Sequence, residues 1–489
     1  MTFTTLTFVV FLVVVFALYW LVERPALQNL LLVVASYFFY GWWDYRFCGL
    51  MFLSSTIDYA VGLGLERLRG FPKRRHLLLV GSVAANLGLL GFFKYFNFFV
   101  ENLQRVLAAL GWTISPMTLR LVLPVGISFY TFQSLSYVLD VYRGQIPATH
   151  RFLDYLAYVS FFPQLVAGPI ERGTNLLPQF LRARRFDPDQ AADGCRQMLW
   201  GFFKKMVIAD NLAPLVERVY AQPGESAGGA LLAATVFFAF QIYSDFSAYS
   251  DIASGTARCF GFSLMRNFAY PYFAQDLGEF WRRWHISLTT WFRDYVYWPM
   301  GGSRVPPVRR AGNILATFLL SGLWHGASWN YVLWGLINGL AVLPSLLRKK
   351  HRVLKVTDIP GGEERLPAPM VGLRMAATFA VVCCGWIFFR AQSLSDAWLI
   401  LKKAAVALPS LDGPAWAWNL CQVESPLGAW LLLLLALLIG LEWSQRRQLH
   451  PLSVARWPIG LRWACYFALA LSVLMAGTFN SGQFIYFQF

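Results

Sequence analysis

Residues 314–340 read ILATFLLSGLWHGASWNYVLWGLINGL, a run without a single Lys, Arg, Asp or Glu and with His325 near its middle. The hydrocarbon core of a bilayer takes about 20 residues of helix to cross, so the run is long enough to enter a membrane and turn within it. An ionisable side chain is expensive to desolvate at such a place, and the residues found there as a rule serve function. The stretch therefore predicts membrane-embedded helix, and it makes His325 the first candidate for chemistry.

The rest of the chain agrees. Of its 489 residues 57% are hydrophobic and 17% aromatic, and only 14% are charged, against about a quarter in a soluble domain. Apolar stretches lie near 4–22, 26–43, 47–65, 77–93, 119–142, 152–170, 229–249, 311–327, 329–347, 371–390, 428–443 and 462–479. With some of these interfacial or re-entrant, the expectation is an all-α polytopic membrane protein of about eleven crossings. Leu6–Val22 reads as a retained first span, because a secretory signal has only about 7–15 apolar residues and ends in a small-residue cleavage site. One membrane domain, 1–489, is expected, with N-terminal helices at 1–115, a core at 116–347, a cytoplasmic linker at 348–370 and C-terminal helices at 371–489.

The net charge of +16 is concentrated in Arg67–Arg75, Arg182–Arg185, Arg304–Arg310, Arg348–Lys355 and Arg446–Arg447. Short basic connections between apolar stretches are cytoplasmic loops under the positive-inside rule. They suit anionic lipid headgroups or an acidic soluble partner; no recognition module accompanies them, which argues against nucleic acid. With 304–310 and 348–355 both inside, the residues between must go out and return, and His325 falls roughly 21 Å along the first helix beyond Ala311. Gly326–Asn330, small and polar, suits non-helical backbone facing a cavity. Seven cysteines show neither a C-x-x-C pair nor a histidine at zinc spacing, so no metal site is expected.

Outside the spans, Asp276–Tyr297 (DLGEFWRRWHISLTTWFRDYVY) opens with Asp276 and Glu279 spaced as a capping box, and helical spacing gathers Trp281, Trp284, His285, Leu288 and Tyr295 on one face. Two readings stand: an in-plane interfacial helix rich in Trp and Arg, or a wall of the active site that includes Arg282, Arg283, Trp284 and His285. Tyr243, Asp245 and Asp251 are either caps near a span end or the lining of a polar path. Gly168–Pro169 breaks a helix. His76, His150, His351 and His450 sit in polar connections, where solvated histidines belong.

The segments VAGPIERGTNLLPQF (166–180), NFAYPYFAQDLGEFWRRWHISLTTWFRDYVYWPMGGSR (267–304) and LLSGLWHGASWNYVLWGLINGL (319–340) together resemble the membrane-bound O-acyltransferase family, and the likeness extends over nearly the whole chain. The resemblance implies a ring of tilted helices around a central tunnel and funnel, in the bacterial inner membrane. It places the family's invariant histidine on His325 and its second functional histidine on His285, with Trp324, Gly326 and Asn330 beside them. The implied cosubstrate is an acyl thioester, on coenzyme A or on a carrier protein's phosphopantetheine, with no bound cofactor. The implied product is an acylated cell-surface polymer such as alginate, made with periplasmic polysaccharide-modifying partners.

In QFIYFQF (483–489) the resemblance also suggests Tyr486 as an acyl acceptor; an aromatic residue marking the membrane interface is the competing reading. A transporter of the acyl donor or polysaccharide would share this topology, and a non-catalytic scaffold would too. Neither an inverted repeat nor paired carboxylates for ion coupling are visible, which favours the enzyme.

Overall fold

The computed structural model describes residues 1–112, 119, 122–166, 168–347, 358–362, 365–410, 413–454, 457–479 and 484–485. Every regular element among them is helical. Five helices, Arg46–Arg67, Pro72–Ala109, Gly228–Cys259, Pro369–Arg390 and Ile459–Ala476, are long and apolar enough to cross a bilayer, and Leu6–Leu21 and Trp430–Ser444 are apolar but shorter. The chain is thus a multi-pass membrane protein. The expectation of about eleven crossings also counts stretches that form shorter or more enclosed helices. Ile127–Arg143 is buried at every position from Ile127 to Val138, surrounded by protein. The stretch 152–170 is two short helices, Phe152–Ser160 and Phe162–Leu165, parted at Phe161 ahead of Pro163.

The helices fall into two compact units, one made of 1–191, 257–265 and 326–328, the other of 192–256, 266–325 and 329–489. In the first, polar pins hold apolar helices in register. Asp58, fully buried, accepts hydrogen bonds from Ser82 Oγ and Asn86 Nδ2, each at 2.9 Å. Arg75 donates to the carbonyls of Leu65, Val141 and Tyr142. Arg184, in one of the basic connections, turns inward and donates to Asn29 Oδ1 at 2.6 Å. Buried Asn29 in turn donates to Asp154 at 2.7 Å.

The second unit carries the candidate chemistry. Pro307–His325 and Trp329–Leu347 form the expected hairpin. They touch backbone to backbone: a Cβ at Gly322 would collide with the Tyr331 carbonyl oxygen, and one at Gly335 with that of Phe318. Small residues at such a crossing let two membrane helices approach closely. The unit also holds the Pro188–Phe202 helix from Ala192 onward, Asp210–Ala221, the Gly228–Cys259 helix up to Thr256, Pro369–Arg390 and the later helices.

Candidate functional site

The segment 276–297 is not one in-plane helix. Its start is as expected, with Asp276 accepting from the Glu279 amide at 2.8 Å and Glu279 reaching back to the Gln275 amide at 2.9 Å. The helix then stops at Arg283, and a second runs Ile286–Phe292. His285 stands between them with φ of 42°, left-handed, a region that costs a non-glycine residue about 1–3 kcal/mol and is tolerated where surrounding structure enforces it. The enforcement is visible: the Ala269 amide donates to the Arg283 carbonyl and the Ile286 amide to the Asn267 carbonyl, both at 2.9 Å. Trp284 and His285 are each 1% exposed, which replaces the interfacial reading with an interior one.

His285 Nδ1 lies 3.1 Å from Asn267 Oδ1, which also accepts from Ser287 Oγ at 3.0 Å. The ring meets Phe246 edge-on at 4.6 Å between centroids. Helices of seven residues are too short to cross a bilayer, so His285 lies outside the spans; burial pushes its pKa down to about 3, and the imidazole is neutral at working pH.

His325 ends its helix inside a box of aromatic rings, with Trp334 at 4.9 Å, Trp324 at 5.0 Å and Phe389 at 5.4 Å. It is 4% exposed, yet it is not sealed in. A cavity of ≈ 350 Å³ is lined by His285 and His325 together, with Trp281, Trp284, Phe292, Phe318 and Ile314 as apolar wall and Thr289, Thr317 and Ser321 as hydroxyls. Three guanidinium side chains, Arg282, Arg293 and Arg310, also line it, and no carboxylate does among the described residues. The space can hold an anionic molecule with an apolar arm, and it presents two imidazoles to that molecule's reacting end.

Of the residues singled out from sequence, Arg282, Trp284, His285 and His325 line this cavity. Trp324 does not line it but wedges between both imidazoles, 5.9 Å from that of His285. Five others lie elsewhere. Arg283 pairs with Glu279 at 2.9 Å and donates to the Asp358 carbonyl. Asn330 donates to the Ala391 carbonyl at 2.7 Å, tying down the start of its helix, while Gly326 opens the link before it. Tyr243 and Asp245 sit inside the Gly228–Cys259 helix, so they are not caps, and neither lines this cavity; Tyr243 lines a separate one of ≈ 240 Å³ with Tyr272 and Glu442. Tyr243 donates to Glu442 at 2.8 Å. Asp245 pairs with Lys205 at 2.8 Å, and Lys205 with Asp210 at 2.7 Å.

The Asp245 pairing bears on a segment far along the chain. Its second oxygen accepts from the Ile485 amide at 2.7 Å, while Phe484 rests on Tyr249 at 4.2 Å and on Phe246 at 5.6 Å. Phe246 is the ring that meets His285, so residues 484–485 are seated one aromatic side chain away from an imidazole. Tyr486 itself lies outside the described residues. Sequence reading missed Asn267, Lys205, Phe246, Arg293 and Arg310; a lysine in an apolar stretch (GFFKKMVIA) was the one available signal.

Residues 145–354 match the model of the membrane-bound O-acyltransferase family. The chain is 42% identical over 376 residues to a probable alginate O-acetylase of Azotobacter vinelandii, covering 76% of this chain and 71% of that protein. It is 34% identical over 406 residues to a peptidoglycan O-acetyltransferase of Helicobacter pylori, covering 78% and 74%. It is 26% identical over 325 residues to a teichoic acid D-alanyltransferase of Streptococcus thermophilus, covering 63% and 77%.

Proposed function

This chain belongs to the membrane-bound O-acyltransferase family, and from that premise we propose that it takes an acetyl group from a thioester on the cytoplasmic side of the bacterial inner membrane and delivers it to a hydroxyl for export to a polysaccharide such as alginate. It is an O-acyltransferase; the transporter and scaffold readings therefore fall away. The observation that carries the finer reading is the convergence of His285, His325 and three arginines on one cavity. About eleven crossings in a ring, with a tunnel reaching this cavity from inside and a funnel from outside, would let donor and acceptor meet there.

A neutral imidazole can take a hydroxyl proton and return it. In the proposed step the acceptor's hydroxyl oxygen attacks the thioester carbonyl carbon while His325 takes its proton. The C–S bond then breaks, and His325 passes the proton to the departing sulfur. His285 orients the acceptor or donor. Coenzyme A and a carrier's phosphopantetheine are both phosphate esters with an extended arm, and a cavity with cationic and apolar lining suits either. Periplasmic polysaccharide-modifying proteins are the proposed downstream partners, and Tyr486 is the proposed acyl relay to them.

Reconstituted protein supplied with labelled acetyl thioester should release free thiol in repeated turnovers only when a hydroxyl acceptor is present, and His325→Ala that still inserts should show no such turnover. Acceptor-dependent turnover by that variant would remove His325 from the step. Intact-mass measurement after incubation with donor tests Tyr486: an acetyl adduct persisting on Tyr486→Phe excludes it as the carrier.

A further inference from the structure

We propose that Asn267 is a positioning residue that fixes the tautomer of His285, so that this imidazole meets substrate as a hydrogen-bond acceptor through Nε2; the proposal rests on reading the cavity as the site of acyl transfer. The orientation of the Asn267 amide follows from its partners. One of its terminal atoms faces the Ser287 backbone amide at 3.4 Å and the Ser287 hydroxyl at 3.0 Å. A backbone N–H only donates, so that atom is the carbonyl oxygen. The other terminal atom is then the NH2, which donates to Ser250 Oγ at 3.0 Å.

The same oxygen lies 3.1 Å from His285 Nδ1, and an oxygen without hydrogen can only accept there. Nδ1 therefore carries the proton. A neutral imidazole has one ring proton, so Nε2 holds the lone pair. The tautomer of a functional histidine is set by what its other nitrogen is bonded to, and here that bond is buttressed twice. The Asn267 backbone carbonyl accepts from the Ile286 amide at 2.9 Å, which prevents the imidazole and the amide from drifting apart, and the left-handed backbone at His285 fixes where the ring leaves the chain.

The consequence is a division of labour. An Nε2 acceptor can take a hydrogen bond from a second hydroxyl of a sugar acceptor, beside the one that attacks, and thereby aim the attacking oxygen at the thioester carbon. His325 then remains the group that removes the proton. With the opposite tautomer His285 would present an N–H, and could only donate, to a carbonyl, a thiolate or a hydroxyl's oxygen.

The test reads the tautomer directly. Ring-nitrogen resonances of isotope-labelled histidine are recorded in the full-length protein in lipid under mildly alkaline conditions, the His285 signals being identified by their loss in His285→Gln. The expected spectrum has Nδ1 protonated and Nε2 bare. Asn267→Leu, which removes the acceptor, should mix the tautomers and lower kcat by about 10–100-fold with the KM for thioester unchanged; Asn267→Asp, which keeps an acceptor, should hold the tautomer and most of kcat. Protonated Nε2 in the parent overturns the proposal without recourse to any variant, as does a tautomer unmoved by Asn267→Leu or an equal loss of kcat in both variants. Because the spectrum needs no turnover, failure of the acyl-transfer reading, seen as an active His325→Ala, is a separate result.

Discussion

Removing the Asp245 carboxylate should free the segment at Phe484–Ile485 while leaving the helices around it folded. The bond from the Ile485 amide is 2.7 Å long and ends on a carboxylate, a class of hydrogen bond that contributes about 1.5–3 kcal/mol, against about 0.5–1.5 for a neutral one. Asp245→Ala removes it entirely, and since about 1.4 kcal/mol is tenfold in an equilibrium, the docked segment should open about 10–150 times more often. Asp245→Asn keeps an acceptor oxygen but not the charge, so the loss should be about 1 kcal/mol, or roughly fivefold. Lys205 does not become an uncompensated buried charge in either variant, because Asp210 remains 2.7 Å from it. Hydrogen exchange followed by mass spectrometry measures this on a peptide containing Ile485, with a peptide from Ile459–Ala476 as internal reference. The reasoning fails if Asp245→Ala exchanges at the parent rate around Ile485, or if the reference peptide accelerates in step with it.

Three further outcomes are expected. The His285 pKa of about 3 in the folded protein lies below its ordinary value of about 6.5, so the unfolded chain binds the extra proton first and stability is lost as pH falls below about 6.5; between pH 7 and pH 5 this one group should withdraw about 2 kcal/mol, and His285→Gln should show a correspondingly shallower acid decline in thermal stability. Arg282→Ala should raise the KM for acetyl-coenzyme A severalfold and weaken its salt dependence, while leaving that for the acetyl thioester of a short uncharged thiol where it was; equal effects on both thioesters would contradict the assignment of Arg282 to an anionic donor. Gly322→Ala places a methyl group against the Tyr331 carbonyl, and such overpacking should destabilise by about 1–3 kcal/mol, visible as a lower melting temperature in detergent; an unchanged melt would mean that the helix crossing is looser than described.

Membrane character and both imidazoles were legible because their signals are local: long apolar runs, and a titratable group within or beside them. The capping box at Asp276 was legible for the same reason. What escaped was decided by distant residues. Helical spacing runs uninterrupted through Trp284–Ile286, and nothing in those residues announces the break at His285; it is imposed by hydrogen bonds from 267–269. Asn267 is an ordinary polar loop residue until the fold brings its amide against an imidazole eighteen positions away. Apolarity also cannot separate burial in lipid from burial in protein: nothing in the residues of Ile127–Arg143 announces that their own neighbours enclose them. The partners of Tyr243 and Asp245, which are Glu442 and Lys205, lie on other helices, so the choice between caps and a polar path was not legible in the local sequence.

The bare crossing of Gly322 and Gly335 has a mechanical corollary. Two helices pressed together through main chain have no side-chain layer to shear, so the hairpin carries His325 as a stiff plate, and the position of the imidazole is inherited from both helices at once. A molecule entering the chamber therefore meets an imidazole that cannot shift without dragging two helices along with it.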